Sequence, residues 1–466
     1  MMKNVFDNAI LNSDAYKMCH FRQYPKNTQI VYSYLESRGG VFDYTVFFGL
    51  QYFLKNYLSG KIVNQKFIDE ADEFCQQVFG TKDFFNREGW EYILNKYEGA
   101  LPIRIKSVIE GSVVPTKNVL FTIENTDEKV PWLTNFLETL LLEVWYPTTV
   151  ATLSRKIKER IKTYADKTGC KLSPFHLNDF GFRGVSSPES AGLGGAAHLI
   201  NFLGTDNFAG IKLAMGYYNS GVCGHSVFAT EHSTTTIYGR ENECKAYETF
   251  IDECPEGIIS LVSDSYNIYE AIKMFGTTLK DKILARGQKT GFAKLVVRPD
   301  SGDPVKMSLE VIQNLEKYFG TTVNEKGYKT LNPKVGVIYG DSVNYKSIGD
   351  ILDNITNSGY STDNILFGCG GKLLQDLNRD TLKFATKCCW AKVGGEGRDV
   401  YKDPITDQGK ISKKGRLKLV IIDGVYTTVN EDQYPELEDQ LVTVYENGEL
   451  LIDQKFEDIR KNAELK

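Results

Sequence analysis

Seven short polar clusters punctuate the middle of the chain, and nearly all follow a run of apolar, β-favouring residues. In order they are 178–183, 204–206, 231–233, 263–265, 298–302, 340–342 and 368–372. The preceding runs include Ile258–Val262, Leu295–Val297, Val335–Tyr339 and Ile365–Phe367, and amphipathic helical stretches separate several of them. Strands that end in Asp, Arg, His or Gly and then enter a helix predict an α/β fold of the β/α-barrel kind, in which the strand ends share one mouth. Two arginines, several carboxylates, one histidine and a glycine-rich loop at such a mouth suit a phosphorylated sugar better than an apolar ligand.

With 466 residues the chain exceeds the usual limit for one core, so two domains are expected. The strand–cluster–helix rhythm starts near Thr149 and fades near Leu382. Before it, helical patterns (51–58, 63–78, 132–145) mix with strand-like runs (30–34, 103–108, 119–123), and Gly111 reads as a tight turn between strands. After it come short strands at 417–422, 426–429 and 441–445. The expectation is an irregular β/α barrel over 149–385, flanked by a β-rich α+β domain built from both chain ends, 1–148 and 386–466.

A net charge of −5 argues against a general nucleic-acid binder. Residues 379–418 run the other way, with eleven Lys or Arg against five acids. A solvated face and a phosphate-binding wall both account for that. Nine cysteines without CxxC spacing make neither a disulfide framework nor a zinc site. The segment Met1–Asp7 lacks the apolar core of a signal peptide, and no apolar run approaches the roughly 18 residues that span a membrane. A cytoplasmic location, with no membrane or nucleic-acid partner, is expected.

The stretch 192–197 matches a dinucleotide-binding pattern, GxGxxA, but Ser187-Pro188 ahead of it reads as a helix start. Its glycines then lie inside a helix, where they serve close packing. Gly368-Cys369-Gly370-Gly371-Lys372 is no Walker loop, yet it follows a strand and precedes a helical stretch, so its backbone N–H groups suit an anion. Arg298-Pro299-Asp300-Ser301-Gly302 fits a capping turn as well as a phosphate and sugar contact. His232 adjoins Glu231, and Asp264 ends the next strand, so a carboxylate is available to orient the imidazole. HxH and HExxH spacings are absent, and paired carboxylates for glycoside hydrolysis stay open.

Together these clusters, with Ser13-Asp14-Ala15-Tyr16-Lys17, Trp145-Tyr146-Pro147, Tyr401-Lys402-Asp403-Pro404 and 412–417, closely resemble the nicotinamide phosphoribosyltransferase family, a type II phosphoribosyltransferase family. The resemblance runs from about Leu11 to Ala463. It implies conversion of nicotinamide and 5-phosphoribosyl-1-pyrophosphate to nicotinamide mononucleotide and pyrophosphate, with Mg²⁺ and with ATP hydrolysed through a phosphohistidine. It also implies a homodimer with shared active sites. By resemblance, Phe180 and a partner-derived Tyr16 sandwich the nicotinamide ring, Asp206 accepts its amide N–H, and Asp14, Arg183 and Ser260 lie around it. Asp300, Gly340 and Asp341 match ribose contacts, and Arg298, Gly370 and Gly371 match phosphate binders. Arg38, Arg379, Lys387, Lys402 and Lys413 match cations around the phosphates. His232 matches the phosphorylated histidine, supported by Glu231 and Asp264, while the side chains holding Mg²⁺ are left unassigned. Departures from the animal form of the family are Ala15, Asn178, Cys369, Lys372 and a shorter loop after Arg38. The nearest rival is a nicotinate phosphoribosyltransferase, against which the Asp206 carboxylate speaks. A non-catalytic, ligand-binding dimer is the rival from another class.

Overall fold

A parallel sheet of seven short strands carries the polar clusters. The strands are Leu177–Asp179, Gly204–Thr205, Phe228–Ala229, Gly257–Val262, Ala293–Arg298, Val335–Tyr339 and Ile365–Cys369. Neighbours in the chain are neighbours in the sheet, and the last strand pairs with the first. One gap remains, between Gly204–Thr205 and Phe228–Ala229. His225 spans it by a parallel bridge to Gly204: the Thr205 N–H donates to the His225 carbonyl at 2.9 Å, and the His225 N–H to the Leu203 carbonyl at 2.8 Å. The strands therefore run round in chain order, as expected of an irregular β/α barrel. Strands covered on both faces need continuous apolar runs, and Val335–Tyr339 is buried at every position. This structure is a computed structural model, and it describes residues 6–406 and 410–465. Met1–Val5, at the start of the N-terminal segment, and Asp407 of the basic segment lie outside the described residues.

The helices between the strands start where the sequence marks them. Ser187 accepts from the Ser190 N–H with Pro188 in the first turn of Pro188–Leu199, and Asp303 with Pro304 does the same for Pro304–Phe319. The glycines of 192–197 lie inside the helix Pro188–Leu199 and serve packing. A Cβ on Gly195 would stand 2.9 Å from the Gly210 Cα of helix Phe208–Tyr217, so only glycine lets the two backbones approach this closely.

Two compact units divide the chain. The one with the barrel comprises Leu153–Met215 and Gly221–Leu377; the other comprises Met1–Thr152, Gly216–Ser220 and Asn378–Glu464. The second of these holds a seven-stranded antiparallel sheet in the order Glu396–Asp399, Phe384–Val393, Thr28–Ser37, Val119–Asn125, Ile103–Ser107, Val442–Glu446, Glu449–Leu450. Both chain ends thus share one sheet. The helical pattern at 132–145 does not give one helix: it splits into Leu133–Phe136 and Glu138–Leu142, and a separate helix, Trp145–Thr168, follows. The short crossing Gly216–Ser220 is pinned to its unit by Gln51 Nε2 and Lys55 Nζ, each donating to the Tyr217 carbonyl at 2.8 Å. Beside it Glu110 is buried, accepts from the Gly49 and Gln51 N–H groups at 3.0 and 2.7 Å, and is pushed up to about 7 by burial. Among the described residues, no helix is long and apolar enough to cross a membrane.

Candidate active site

A cavity of about 1180 Å³ opens where the barrel strands end. Its lining takes residues that follow six of the strands: Phe180 and Arg183, Asp206, Glu231 and His232, Arg298 and Asp300, Gly340 and Asp341, Gly370 and Gly371. The remaining strand, Gly257–Val262, contributes Asp264 from behind. A strand end is a natural place for such residues, since the ladder stops there and the next side chains are free to face solvent or ligand.

The Phe180 ring lies across two glycines. A Cβ on Gly368 would fall 2.0 Å from Phe180 Cε2, and one on Gly340 would fall 3.3 Å from it. The Phe180 N–H donates to the Cys369 carbonyl at 3.0 Å. Beneath it Asp179 is wholly buried; Oδ1 accepts from the Gly181 N–H at 2.7 Å and Oδ2 from Asn207 Nδ2 at 2.9 Å. Burial pushes that carboxyl up to about 6, against the pull of these donors. The Asp179 carbonyl accepts from the Asp206 N–H at 2.9 Å, so one residue ties the loop of Phe180 to that of Asp206. Asp206 Oδ1 in turn accepts from Ser226 Oγ at 2.5 Å.

His232 opens the short helix His232–Thr236 and is half exposed. Its Nδ1 stands 3.0 Å from Ser265 Oγ, and its Nε2 lies 3.6 Å from both Asp264 Oδ1 and Asp300 Oδ2. The expected pairing with Glu231 is different in the structure: that carboxylate accepts from the Ser233 hydroxyl, and the carboxylates facing the imidazole come from the next two strands. The physical reason is local. Adjacent residues at a helix start diverge, whereas neighbouring strand ends converge. Asp264 Oδ2 accepts from the Asp300 N–H at 2.9 Å and from Ser301 Oγ at 2.5 Å, and its buried Oδ1 has no hydrogen-bond donor among the described residues. Arg298 donates from NH2 to the Thr230 carbonyl at 2.5 Å, and its Nε is buried without a partner among the described residues. Burial lowers the pKa of that guanidinium, while Asp300, Asp206 and Asp264 oppose the shift. Among the described residues, no group of three or more His, Cys, Asp or Glu side chains is arranged to hold a metal.

Other residues named from the sequence lie elsewhere. Ser260 is buried in the middle of its strand rather than at the end. Asp14 and Tyr16 belong to the antiparallel unit, at the start of the short helix Ala15–Arg22. There the Asp14 carboxylate accepts from Thr139 Oγ1 at 2.7 Å, and Tyr16 is 58% exposed. Arg38, Arg379, Lys387, Lys402 and Lys413 are in the same unit. Buried Glu36 pairs with Arg38 and Lys413, while burial and the charges of Arg38, Arg379 and Lys402 hold Lys387 below its usual range. Three contributors were missed in the sequence. Ser265 lay within a recognised cluster, Glu36 stood two residues before Arg38, and Ser226 had no local signal at all.

Residues 175–449 match the nicotinate phosphoribosyltransferase (NAPRTase) family, and residues 8–105 match the N-terminal domain of nicotinamide phosphoribosyltransferase. A protein of Xanthomonas campestris pv. campestris (strain 8004) named nicotinamide phosphoribosyltransferase is 48% identical over 98% of both chains. The chain belongs to the nicotinamide phosphoribosyltransferase family. A relative of that name from Acinetobacter baylyi is 36% identical, over 97% of this chain and 96% of its own. Among solved structures, nicotinate-nucleotide pyrophosphorylase from Pyrococcus furiosus aligns with a TM-score of 0.62 at 18% identity, over 99% of this chain and 96% of its own. At that identity the likeness bears on the fold alone. As a member of the nicotinamide phosphoribosyltransferase family the chain is an enzyme of the pentosyltransferase kind.

Proposed function

We propose that this enzyme joins nicotinamide to 5-phosphoribosyl-1-pyrophosphate, releasing pyrophosphate and nicotinamide mononucleotide for NAD biosynthesis. The observation that carries the reading is the set Phe180, Asp206 and Arg298 around one cavity: a flat ring, an amide acceptor and a half-buried guanidinium whose Nε has no partner among the described residues. Phe180, backed by Gly368 and Gly340, offers one face to a pyridine ring. Asp206 accepts the amide N–H and repels the carboxylate that nicotinate would bring. Arg298 and the backbone around Gly370 and Gly371 take phosphate oxygens, and Asp300, Gly340 and Asp341 take the ribose.

The pyridine nitrogen is a neutral nucleophile with no proton to lose, so its attack on ribose C1 needs no base. What the side chains do is hold the ring in line with C1 and bind the leaving pyrophosphate. That leaves His232 for a second task. One of its ring nitrogens attacks the γ-phosphorus of ATP and ADP departs; water later takes the phosphoryl group as phosphate. Asp264 and Asp300 beside Nε2 and Ser265 beside Nδ1 support this by orienting the imidazole. Asp264 and Asp300 also fit Mg²⁺, which is held by one or two carboxylates plus substrate phosphates, and the donor-free Oδ1 of Asp264 suits a cation. Bound there, Mg²⁺ would neutralise charge developing on the pyrophosphate.

A second copy of the chain completes the site in this reading, with Tyr16 of one copy stacking in the barrel of the other. The exposure of Tyr16 supports it. Tyr16→Ala and Asp206→Asn should each lose most of the activity with nicotinamide, and a verified heterodimer of the two should regain activity from one intact composite site. A heterodimer that stays inactive would put both residues in one copy's site.

The base is tested by product formation with nicotinamide or nicotinate in the presence of 5-phosphoribosyl-1-pyrophosphate and Mg²⁺. The parent should prefer nicotinamide. Asp206→Asn should reduce that preference roughly ten- to a hundredfold, the worth of a bond to a charged group, ~1.5–3 kcal/mol. A parent that prefers nicotinate overturns the assignment of the base, and one that makes neither mononucleotide overturns the activity.

A further inference from the structure

We infer that Ser226, which lies outside all seven polar clusters, is a positioning residue that sets the choice of base by holding the Asp206 carboxylate. The inference rests on the proposed reading of Asp206 as the acceptor of the amide N–H.

Its origin is the irregular seam of the barrel. Among the described residues, the strand Gly204–Thr205 has no full strand beside it on that side, only the bridge to His225. The two hydrogen bonds of that bridge set the register, so the residues that follow, Ser226 on one segment and Asp206 on the other, come side by side at the rim. Ser226 Oγ then donates to Asp206 Oδ1 at 2.5 Å. On its main chain Asp206 is fixed by the bond from its N–H to the Asp179 carbonyl at 2.9 Å. Asp206 Oδ2 accepts no hydrogen bond from any described residue, and Asp206 lines the cavity. One oxygen is held and the other is available to a ligand.

An exposed aspartate without such a tether samples several staggered side-chain conformations. A hydroxyl donating to one oxygen selects among them, so less freedom is lost when a ligand binds. Held in that direction, the carboxylate accepts an amide N–H and repels a carboxylate carried by the ring. Ser226 thus acts on the base through Asp206 and has no bearing on the phosphates, which separates its effect from a general loosening of the barrel.

The test compares Ser226→Ala, Ser226→Thr, Asp206→Asn and the double variant Ser226→Ala/Asp206→Asn, in assays with nicotinamide and with nicotinate. Ser226→Ala should raise KM for nicotinamide by about tenfold and lower the preference over nicotinate by the same order. Its KM for 5-phosphoribosyl-1-pyrophosphate should be unchanged. Ser226→Thr keeps the hydroxyl and should restore the parental values. In the Asp206→Asn background, Ser226→Ala should change the preference by less than about twofold, since coupled residues are not additive. A parental preference in Ser226→Ala, an equal rise in both KM values, or full additivity in the double variant would each overturn the role of Ser226. The two readings fail separately. If Asp206→Asn leaves the preference as it was, the base contact itself is wrong; if Asp206→Asn shifts it and Ser226→Ala does not, only the tether is.

Discussion

His232→Ala should lose all acid-labile, base-stable labelling from γ-labelled ATP, together with ATP hydrolysis. Slow, ATP-independent formation of nicotinamide mononucleotide should survive. The first expectation follows from the surroundings of the imidazole. Ser265 Oγ lies 3.0 Å from one nitrogen and two carboxylate oxygens lie 3.6 Å from the other, an arrangement that suits the proposed role of the ring as a nucleophile. The second follows from the chemistry of the base, whose nitrogen carries no proton. Arg298 does not depend on the histidine for its place: it is held by the Thr230 carbonyl, so the proposed phosphate contact remains when the imidazole is gone. Equal labelling of parent and variant would remove His232 as the phosphoryl acceptor. Loss of mononucleotide synthesis with and without ATP would instead put the histidine in the ribosyl transfer itself.

Gly368→Ala should cost at least about a hundredfold in kcat/KM for nicotinamide, the loss expected when a reacting ring is displaced by about an ångström. The new Cβ would fall 2.0 Å from Phe180 Cε2, far inside contact distance, and the glycine sits in a strand whose backbone is held on both sides by its neighbours. The ring must therefore be the part that moves. Gly340→Ala is the control, because its Cβ would meet the same atom at 3.3 Å and needs only a few tenths of an ångström of give. The ranking of the two variants is the checkable result. Adding Phe180→Ala removes the clash, so Gly368→Ala/Phe180→Ala should be no worse than Phe180→Ala alone. If Gly368→Ala and Gly340→Ala cost the same, the packing of the ring on Gly368 is not what limits the reaction.

Much of the barrel was legible because its signals are local. A run such as Val335–Tyr339 must be buried on both faces, and the cluster that follows it ends the ladder. Order along the chain then equals order around the sheet, so one rhythm predicts both the strands and the mouth they share. Helix starts at Ser187-Pro188 and Asp303-Pro304 were legible for the same reason, since a cap acts within three residues. The helical pattern at 132–145 misled because periodicity reports an apolar face and not a continuous backbone; the chain turns at Leu137 while keeping that face buried.

The sequence by itself determined which residues stand at the strand ends, and therefore that Phe180, Asp206, His232, Arg298 and the Gly370-Gly371 turn meet at one cavity. Only the tertiary structure decided what each of them leans on. Asp300, rather than adjacent Glu231, joins the expected Asp264 in facing the imidazole; Asp179 joins the loops of Phe180 and Asp206; Ser226 reaches Asp206 across the barrel seam. Placement at a strand end is set by the few residues around it. These contacts depend instead on strand register between segments up to tens of residues apart, and register is fixed by the packing of the whole sheet.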